Sequence, residues 1–398
     1  PPGTAGRGHV GVLRVSRLVA IADAHLGRAH YQAVDPNGLN QREVDFAASW
    51  HRAVEAALGL DPDAVLILGD LFDAPRPTYR AFREGARGLR TLAEAGVPTL
   101  AISGNHDTPR LRESGSPYAV LADAFPGVAF VYRGGYEPVD LLAGLRVHAV
   151  PQCTDDLALK DQIAAAADAR SGDHLNLLVT HAAVTVLARR YTYGDVNELE
   201  VDLSTLDAGF DRILLGHFHN FAKVAPNAWY PGSTDTFSFK DLPAHDEPQT
   251  KGLLSLDTTS GTVRHHPVPG GRPLRSYRLD AFDLSAPEVY EAAAGLAGPS
   301  ETEGAVVRLF VNRARPELRR LLDRRQLAAD AFAGALVVTV QVETDEDEQA
   351  AQLAGQPVTS LADEWDRYLA SVPIEGYDRD RLAGMGRAFL QQVEEEAR

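Results

Sequence analysis

The sequence predicts an α/β protein of layered architecture, and three observations carry that expectation. Five short apolar, β-rich runs, RLVAIAD, DAVLILGD, VPTLAISGN, LNLLVTH and RILLGH, recur through the first 270 residues with helix-like segments between them. Their length and flanks suit buried strands. The stretch NQREVDFAASWHRAVEAALGL places Val44, Ala47, Ala48, Val54 and Leu58 near helical spacing. Hydrophobic residues make up 44% of the 398-residue chain, enough for a substantial core and for two or three domains.

Taken in order, Thr91 to Gly96 ends a second helix before Pro98, and HHPVPGGRPLR, from His265 to Arg275, reads as a linker by its Pro and Gly content. Downstream, GAVVRLFVNRARPELRRLLDRRQLAADAFAGALVVTVQVE reads as strand, helix, helix, strand, a small α/β appendage. After TDEDE come two helix-like stretches, one with Leu361, Trp365 and Leu369, the other with Leu382, Phe389 and Val393. The expected division is residues 1–275, 276–345 and 346–398, the last either packed on its own domain or docking a partner.

Cys153 is the single cysteine, so no thiolate cluster exists and any metal must be held by nitrogen and oxygen. No signal-like pattern opens the sequence, and no apolar stretch approaches the roughly 18 residues of a membrane span. A soluble, cytoplasmic chain is the expectation. The formal charge of −16 runs against a nucleic-acid grip, yet its distribution is uneven. From Gln341 to Arg398 there are fourteen acidic and five basic residues, a net of −9, so the body of the chain is less acidic than its tail.

Each of the five apolar runs ends in residues able to bind metal or phosphate: Asp23 and His25, Asp70 and Asp73, Asn105 with His106 and Asp107, His181, and His217 with His219. In α/β sheets ligands gather at the carboxyl ends of strands, so distant segments can converge in one crevice. One such residue is ordinarily surface or a satisfied core group; five strand ends in order are not. Mixed oxygen and imidazole donors suit manganese, iron or zinc. Two ions about 3.5–4 Å apart need roughly seven protein ligands with one shared. A carboxylate bridges best, and Asp70 is the choice. Spacing alone leaves open whether His217 and His219 serve one ion or two.

The motifs ADAHLG, GDLFD, GNHD, THAAV and GHFH resemble the five phosphoesterase motifs of the calcineurin-like metallophosphoesterase superfamily. HLGRAHY, NQREVDF, GDLFDAPRPTYRAF and YPGSTDTFSF narrow the resemblance to the SbcD family, nuclease subunits of the bacterial SbcCD complex, and their archaeal and eukaryotic meiotic-recombination counterparts. The resemblance is strong over about residues 16–275. It implies a double-sheet sandwich flanked by helices, a small α/β capping domain facing DNA and C-terminal helices. It further implies two Mn2+ ions, with Mg2+ or another divalent ion as substitutes. One would be held by Asp23, His25, Asp70 and His219, the other by Asp70, Asn105, His181 and His217. His106 matches the histidine beside the scissile phosphate, and Asp107 is expected to orient it. Some archaeal members carry a supporting histidine where this chain has Asp73.

The implied activity is a manganese-dependent DNA nuclease, exonucleolytic on duplex ends and endonucleolytic on single strands and hairpins, in double-strand-break processing. The implied partners are DNA, an SbcC-like ATPase and a second copy of the chain. The sequence holds no G-x-x-x-x-G-K-[ST] loop, so ATP dependence must come from a partner. Arg28, Arg76, Arg110 and Arg112 are near the motifs for a DNA approach, and His30 and Tyr31 near the site. Two other readings use the same residues: a phosphoesterase for small phosphoesters or cyclic nucleotides, and a DNA-end-binding scaffold with a vestigial metal site.

Overall fold

The computed structural model describes residues 16–111, 115–188, 197–242, 251–344, 361–371 and 378–396. Arg112 therefore lies outside the described residues, as does the TDEDE run beyond Thr344. The chain divides into two compact units, residues 1–274 and 275–398.

In the first unit the strands in chain order are β1 (Arg17–Ile21), β2 (Ala64–Leu68), β3 (Thr99–Ile102), β4 (Val128–Val131), β5 (Glu137–Leu142), β6 (Leu145–Val150), β7 (Leu175–His181), β8 (Ala183–Val184), β9 (Glu200–Val201), β10 (Arg212–Gly216), β11 (Ala222–Ala225), β12 (Ala228–Tyr230), β13 (Gly252–Asp257) and β14 (Val263–Pro267). They form two six-stranded sheets, ordered β14-β13-β1-β2-β3-β4 and β11-β12-β10-β7-β6-β5, besides a small β8-β9 pair. β1 through β4 run parallel, as do β6, β7 and β10.

Strand alternation builds the layers. Leu18, Ala20, Leu66, Leu68, Leu100 and Ile102 of the first sheet meet Val147, Ala149, Leu177, Val179 and Leu214 of the second. Val19, Ile21, Val65, Ile67 and Ala101 face the other way, onto helices α1 (Gln41–Gly59), α2 (Tyr79–Glu94) and α3 (Pro117–Ala124). Leu178, Ile213 and Leu215 of the second sheet face Leu159, Ile163 and Ala166 of α4 (Asp156–Asp168). The result is a two-sheet sandwich with helices outside, and each buried Leu, Val or Ile in it contributes about 1.5–3 kcal/mol.

Two sequence expectations change here. Helix α1 is capped by Asn40, whose side chain accepts the Arg42 and Glu43 amides. Its buried stripe is Phe46, Trp50, Ala53, Val54 and Ala57, so of the five residues first singled out only Val54 is fully buried. The bulky aromatic pair, Phe46 and Trp50, sets the inward face. His265 and His266 belong to strand β14 rather than to a linker: His265 packs against Phe221 and His266 Nε2 lies 2.7 Å from Ser255 Oγ. His148 is a satisfied core histidine between Tyr136 and Asn176. Cys153 is buried, which pushes its thiol up to about 12.

In the second unit, β15 (Leu274–Asp280), β16 (Val306–Asn312) and β17 (Val337–Val342) make a three-stranded sheet in that order, with β16 and β17 parallel. Val307, Leu309, Val311, Val340 and Val342 bury one sheet face against Val289, Leu318 and Leu327 from the helices Ala286–Ala294, Pro316–Leu321 and Arg324–Ala331. Helices Leu361–Ser371 and Arg379–Glu396 pair with each other, joined by Arg387 Nε at 2.8 Å from Asp366 Oδ1. Leu369 is buried there, whereas Phe389 is exposed. Among the described residues no helix is long and apolar enough to cross a membrane.

Candidate metal centre

The parallel strands of both sheets deliver their carboxyl ends to one place. Asp23 and His25 follow β1, Asp70 follows β2, Asn105 and His106 follow β3, His181 ends β7, and His217 and His219 follow β10. Beyond the strands the first two loops stay zipped, Asp23 N–H to Gly69 C=O at 3.2 Å and His25 N–H to Asp70 C=O at 2.9 Å. In the second sheet Gly216 is in register with His181.

This convergence requires unusual backbone. Asp23, His25, Asp70 and His217 all adopt positive φ, at 52°, 45°, 49° and 102°. Left-handed conformations at non-glycine residues cost energy and cluster where function demands them. Gly69 has φ +90°, whereas Gly104 is needed for closeness, because a methyl group there would run into Asp70 Oδ1 and the Asp70 amide. Gly104→Ala is therefore expected to lower stability by about 1–3 kcal/mol and to weaken divalent-ion uptake. A thermal melt and a manganese titration read the two effects; unchanged ion affinity would show that the spacing of these loops does not matter.

The seven proposed ligand side chains are almost wholly buried: Asp23 and His25 at 0%, Asp70 and His181 at 1%, His219 at 2%, Asn105 and His217 at 3%. Ligand atoms of Asp23, His25 and His219 lie within 4.8 Å of one another, as do those of Asp23, Asp70 and His181, and those of His25, Asp70 and His106. Asp70 Oδ2 is 3.3 Å from His181 Nε2 and 3.8 Å from His25 Nε2, and Asp70 Oδ1 accepts the His106 amide at 2.9 Å. Asn105 Oδ1 lies 3.1 Å from His181 Nε2 and 3.2 Å from His217 Nδ1. His25 Nε2 and His219 Nε2 face each other at 3.1 Å.

The outward ring nitrogens decide what those inward ones are. His181 Nδ1 is 2.8 Å from the Leu68 carbonyl, which can only accept, so Nδ1 carries the proton. His217 Nε2 is 3.0 Å from Glu198 Oε1, His25 Nδ1 is 3.3 Å from Asp73 Oδ1, and His219 Nδ1 is 3.5 Å from Asp241 Oδ1. His181 and His217 thus have a hydrogen-bond partner for the outward nitrogen, while His25 and His219 have a carboxylate oxygen close by, and each ring presents its other nitrogen to the cluster, as metal-ligating imidazoles do. The two nitrogens at 3.1 Å beside the Asp23 carboxylate are placed to share a dication. The oxygen and nitrogen donor set suits manganese, iron or zinc.

Electrostatics follow from the crowding. Burial pushes the Asp70 carboxyl up, but His181 and His106 beside it outweigh that and hold it well below the usual carboxylate range. Burial lowers the His181 imidazole, and the Asp70 charge reverses this, to about 9. Burial lowers His25, against the opposing pull of Asp73.

Asp107 requires a correction. Its oxygens accept the amides of Leu71 at 3.1 Å, Phe72 at 2.8 Å and Gly104 at 3.3 Å, and the Tyr118 hydroxyl at 3.0 Å. Burial, then Asp70, push its carboxyl up to about 7. It braces the loops after β2 and β3. His106 Nδ1 instead faces the Asp73 carbonyl at 3.0 Å, a bond whose geometry the turn after β2 supplies. Asp73 thus meets His106 through its backbone carbonyl and lies beside His25 through its carboxylate.

Sequence reasoning also missed Glu198, Asp241 and Lys251, 19, 22 and 32 positions from the histidines they meet, and Tyr118, which donates to the Asp107 carboxylate. Phe237 carried a signal, since it lies in the YPGSTDTFSF stretch. Its ring packs 4.5 Å from that of His25 and 4.6 Å from that of His219, with the Arg28 guanidinium 4.0 Å above it. Arg42 holds this loop by donating to the Thr236 carbonyl at 2.7 Å. Arg110 bonds Asn197 Oδ1 at 2.9 Å, and His30 pairs with Tyr31.

The profile of the calcineurin-like phosphoesterase family matches residues 16–221, just over half of the chain and every one of these ligand positions. The chain belongs to the calcineurin-like phosphoesterase family. Members of this phosphoesterase family use divalent metal ions, in keeping with the donor set described. The chain is 31% identical over 297 residues to the DNA double-strand break repair protein Mre11 of Aeropyrum pernix, covering 69% of this chain and 66% of that protein. It is 28% identical over 253 residues to the protein of the same name from Thermoplasma acidophilum, covering 61% and 62%. For that of Haloferax volcanii the figures are 27% over 297 residues, covering 74% and 60%. The chain thus spans less than two thirds of the length of each of these relatives.

Proposed function

We propose that this phosphoesterase is a DNA nuclease of the SbcD type that hydrolyses phosphodiesters with two dications, manganese being the expected pair. The observation that carries the reading is the inward convergence of four imidazole nitrogens and two aspartates at the shared edge of the sheets. The similarity to proteins named for double-strand-break repair supports DNA as the substrate.

Asp23, His25, Asp70 and His219 would hold one ion and Asp70, Asn105, His181 and His217 the other; when bound, such ions polarise phosphate oxygens and lower the pKa of water. The chain's own residues do the rest. Asp70 presents Oδ2 towards both His25 and His181 and uses Oδ1 to fix the His106 backbone. The His106 side chain, 17% exposed, is the least buried of the cluster, its Nε2 being turned inward and buried, and the family resemblance assigns it the substrate contact. With Nδ1 donating to the Asp73 carbonyl, Nε2 is the ring atom left to act, and in the imidazolium form of His106 it carries the proton given to the departing sugar oxygen. Phe237 walls the centre and keeps water from one side.

Residues 276–345 are read as the capping part and 346–398 as the docking segment for an SbcC-like ATPase, with self-association through the first unit. The exposed Met385 and Phe389 on the last helix support a docking role. Deleting residues 346–398 is expected to spare manganese-dependent cleavage and to abolish capture by the ATPase in a pull-down; undiminished capture would refute the docking role. The enzymatic reading is tested with purified protein, manganese, end-labelled duplex and hairpin DNA, and a generic phosphodiester alongside. Cleavage of DNA lost on chelation is the expected result, and preference for the generic ester would overturn the nuclease reading.

A further inference from the structure

We propose that Asp241 and Lys251 are a positioning pair for His219, gripping it at ring and backbone so that Nε2 faces the metal. The inference rests on the metal-centre reading above. Both members are buried, Asp241 at 0% and Lys251 at 8%. Asp241 ends a single 3-10 turn, Phe239–Asp241, and its Oδ2 accepts the amides of Phe237 at 2.7 Å and Ser238 at 3.3 Å. Its Oδ1 is 3.5 Å from His219 Nδ1. Lys251 Nζ lies 3.4 Å from Asp241 Oδ2 and donates to the His219 carbonyl at 2.6 Å and to Asn220 Oδ1 at 2.9 Å.

One histidine is therefore bonded at its carbonyl by Lys251 and faced at its ring by Asp241, the two halves of a single ion pair. Burying such a pair is an inefficient way to gain stability, since apolar residues of the same volume do as well. Its value lies in what it addresses. A buried carboxylate 3.5 Å from Nδ1 favours the proton on that nitrogen, and with the proton there the Nε2 lone pair is left to the centre, 3.1 Å from His25 Nε2. The ammonium at the other oxygen keeps Asp241 an acceptor that holds the proton without removing it. The same carboxylate fixes the Phe237 amide, so the aromatic wall and the ligand ring share one anchor.

The test compares wild type with Asp241→Asn and with the double variant Asp241→Asn/Lys251→Met, which removes both charges together and leaves no buried ion alone. Equilibrium dialysis against Mn2+ is expected to show one of two ions bound about 10–100-fold more weakly in both variants, and the coupled two-manganese EPR signal should fade at limiting metal. A folded variant, by circular dichroism, with wild-type affinity for both ions would overturn the proposal. A second measurement needs no variant: in the Zn2+-loaded wild type, long-range 1H–15N spectra should show His219 protonated at Nδ1. A proton at Nε2 would overturn it. Wild-type protein that takes up no dication would instead remove the metal-centre reading itself, and this inference with it.

Discussion

Replacing His106 with alanine is expected to cut DNA cleavage by about 10^2–10^4-fold while both ions stay bound. The factor is the usual contribution of a positioned general acid. Metal retention follows because the His106 side chain is bound through Nδ1 to the Asp73 carbonyl, and the tie to Asp70 Oδ1 is made by its backbone amide, which alanine keeps. The signature is leaving-group dependence. An ester of a nitrophenol departs without a proton, so His106→Ala should lose far less rate on it than on DNA, measured under single turnover. Equal losses on both substrates would exclude proton delivery and point to charge stabilisation alone.

Asp70→Asn is expected to empty both half-sites together, with cleavage falling at least as far as in His106→Ala. Asp70 Oδ2 stands near one histidine of each proposed set, His25 at 3.8 Å and His181 at 3.3 Å. The substitution removes the charge that offsets two dications and turns an N–H2 group towards a lone pair. Elemental analysis after gel filtration reads the outcome. Two full equivalents of metal in Asp70→Asn would refute the bridging assignment, and one equivalent would place Asp70 in a single half-site. Asp23→Asn should by comparison affect the half-site of His25 and His219 more, the set to which the resemblance assigns it, although its carboxylate also lies within 4.8 Å of Asp70 and His181 ligand atoms.

The strand ends were legible because they are local. A buried parallel strand must be an apolar run, and the residue after it is the first that can reach a crevice, so Asp23, Asp70, Asn105, His181 and His217 stand out by position alone. The strand, helix, helix, strand order of residues 306–342 was legible for the same reason. The inward stripe of α1 was less so, since Ala47, Ala48 and the true face of Phe46, Trp50 and Ala53 share a similar period, and only bulk against the sheet tells them apart.

The stretch LLGHFHN shows where local reading ends. Two histidines two apart point to one face of a strand, which leaves one ion or two equally open. The fold places His217, at φ 102°, past the end of β10, so the alternation breaks. Its Nδ1 turns to Asn105, while His219 Nε2 turns to His25, and Phe218 packs on Tyr230 between them.

By itself the sequence determined which chemistry is available: an imidazole and carboxylate centre, without thiolates, at the ends of five strands. Only the tertiary structure decided how each histidine is used. The oxygens that face the outward ring nitrogens, those of Leu68, Asp73, Glu198 and Asp241, lie 113, 48, 19 and 22 positions from the rings. A hydrogen bond depends on distance and angle in space, and chain separation of that size leaves no periodic trace.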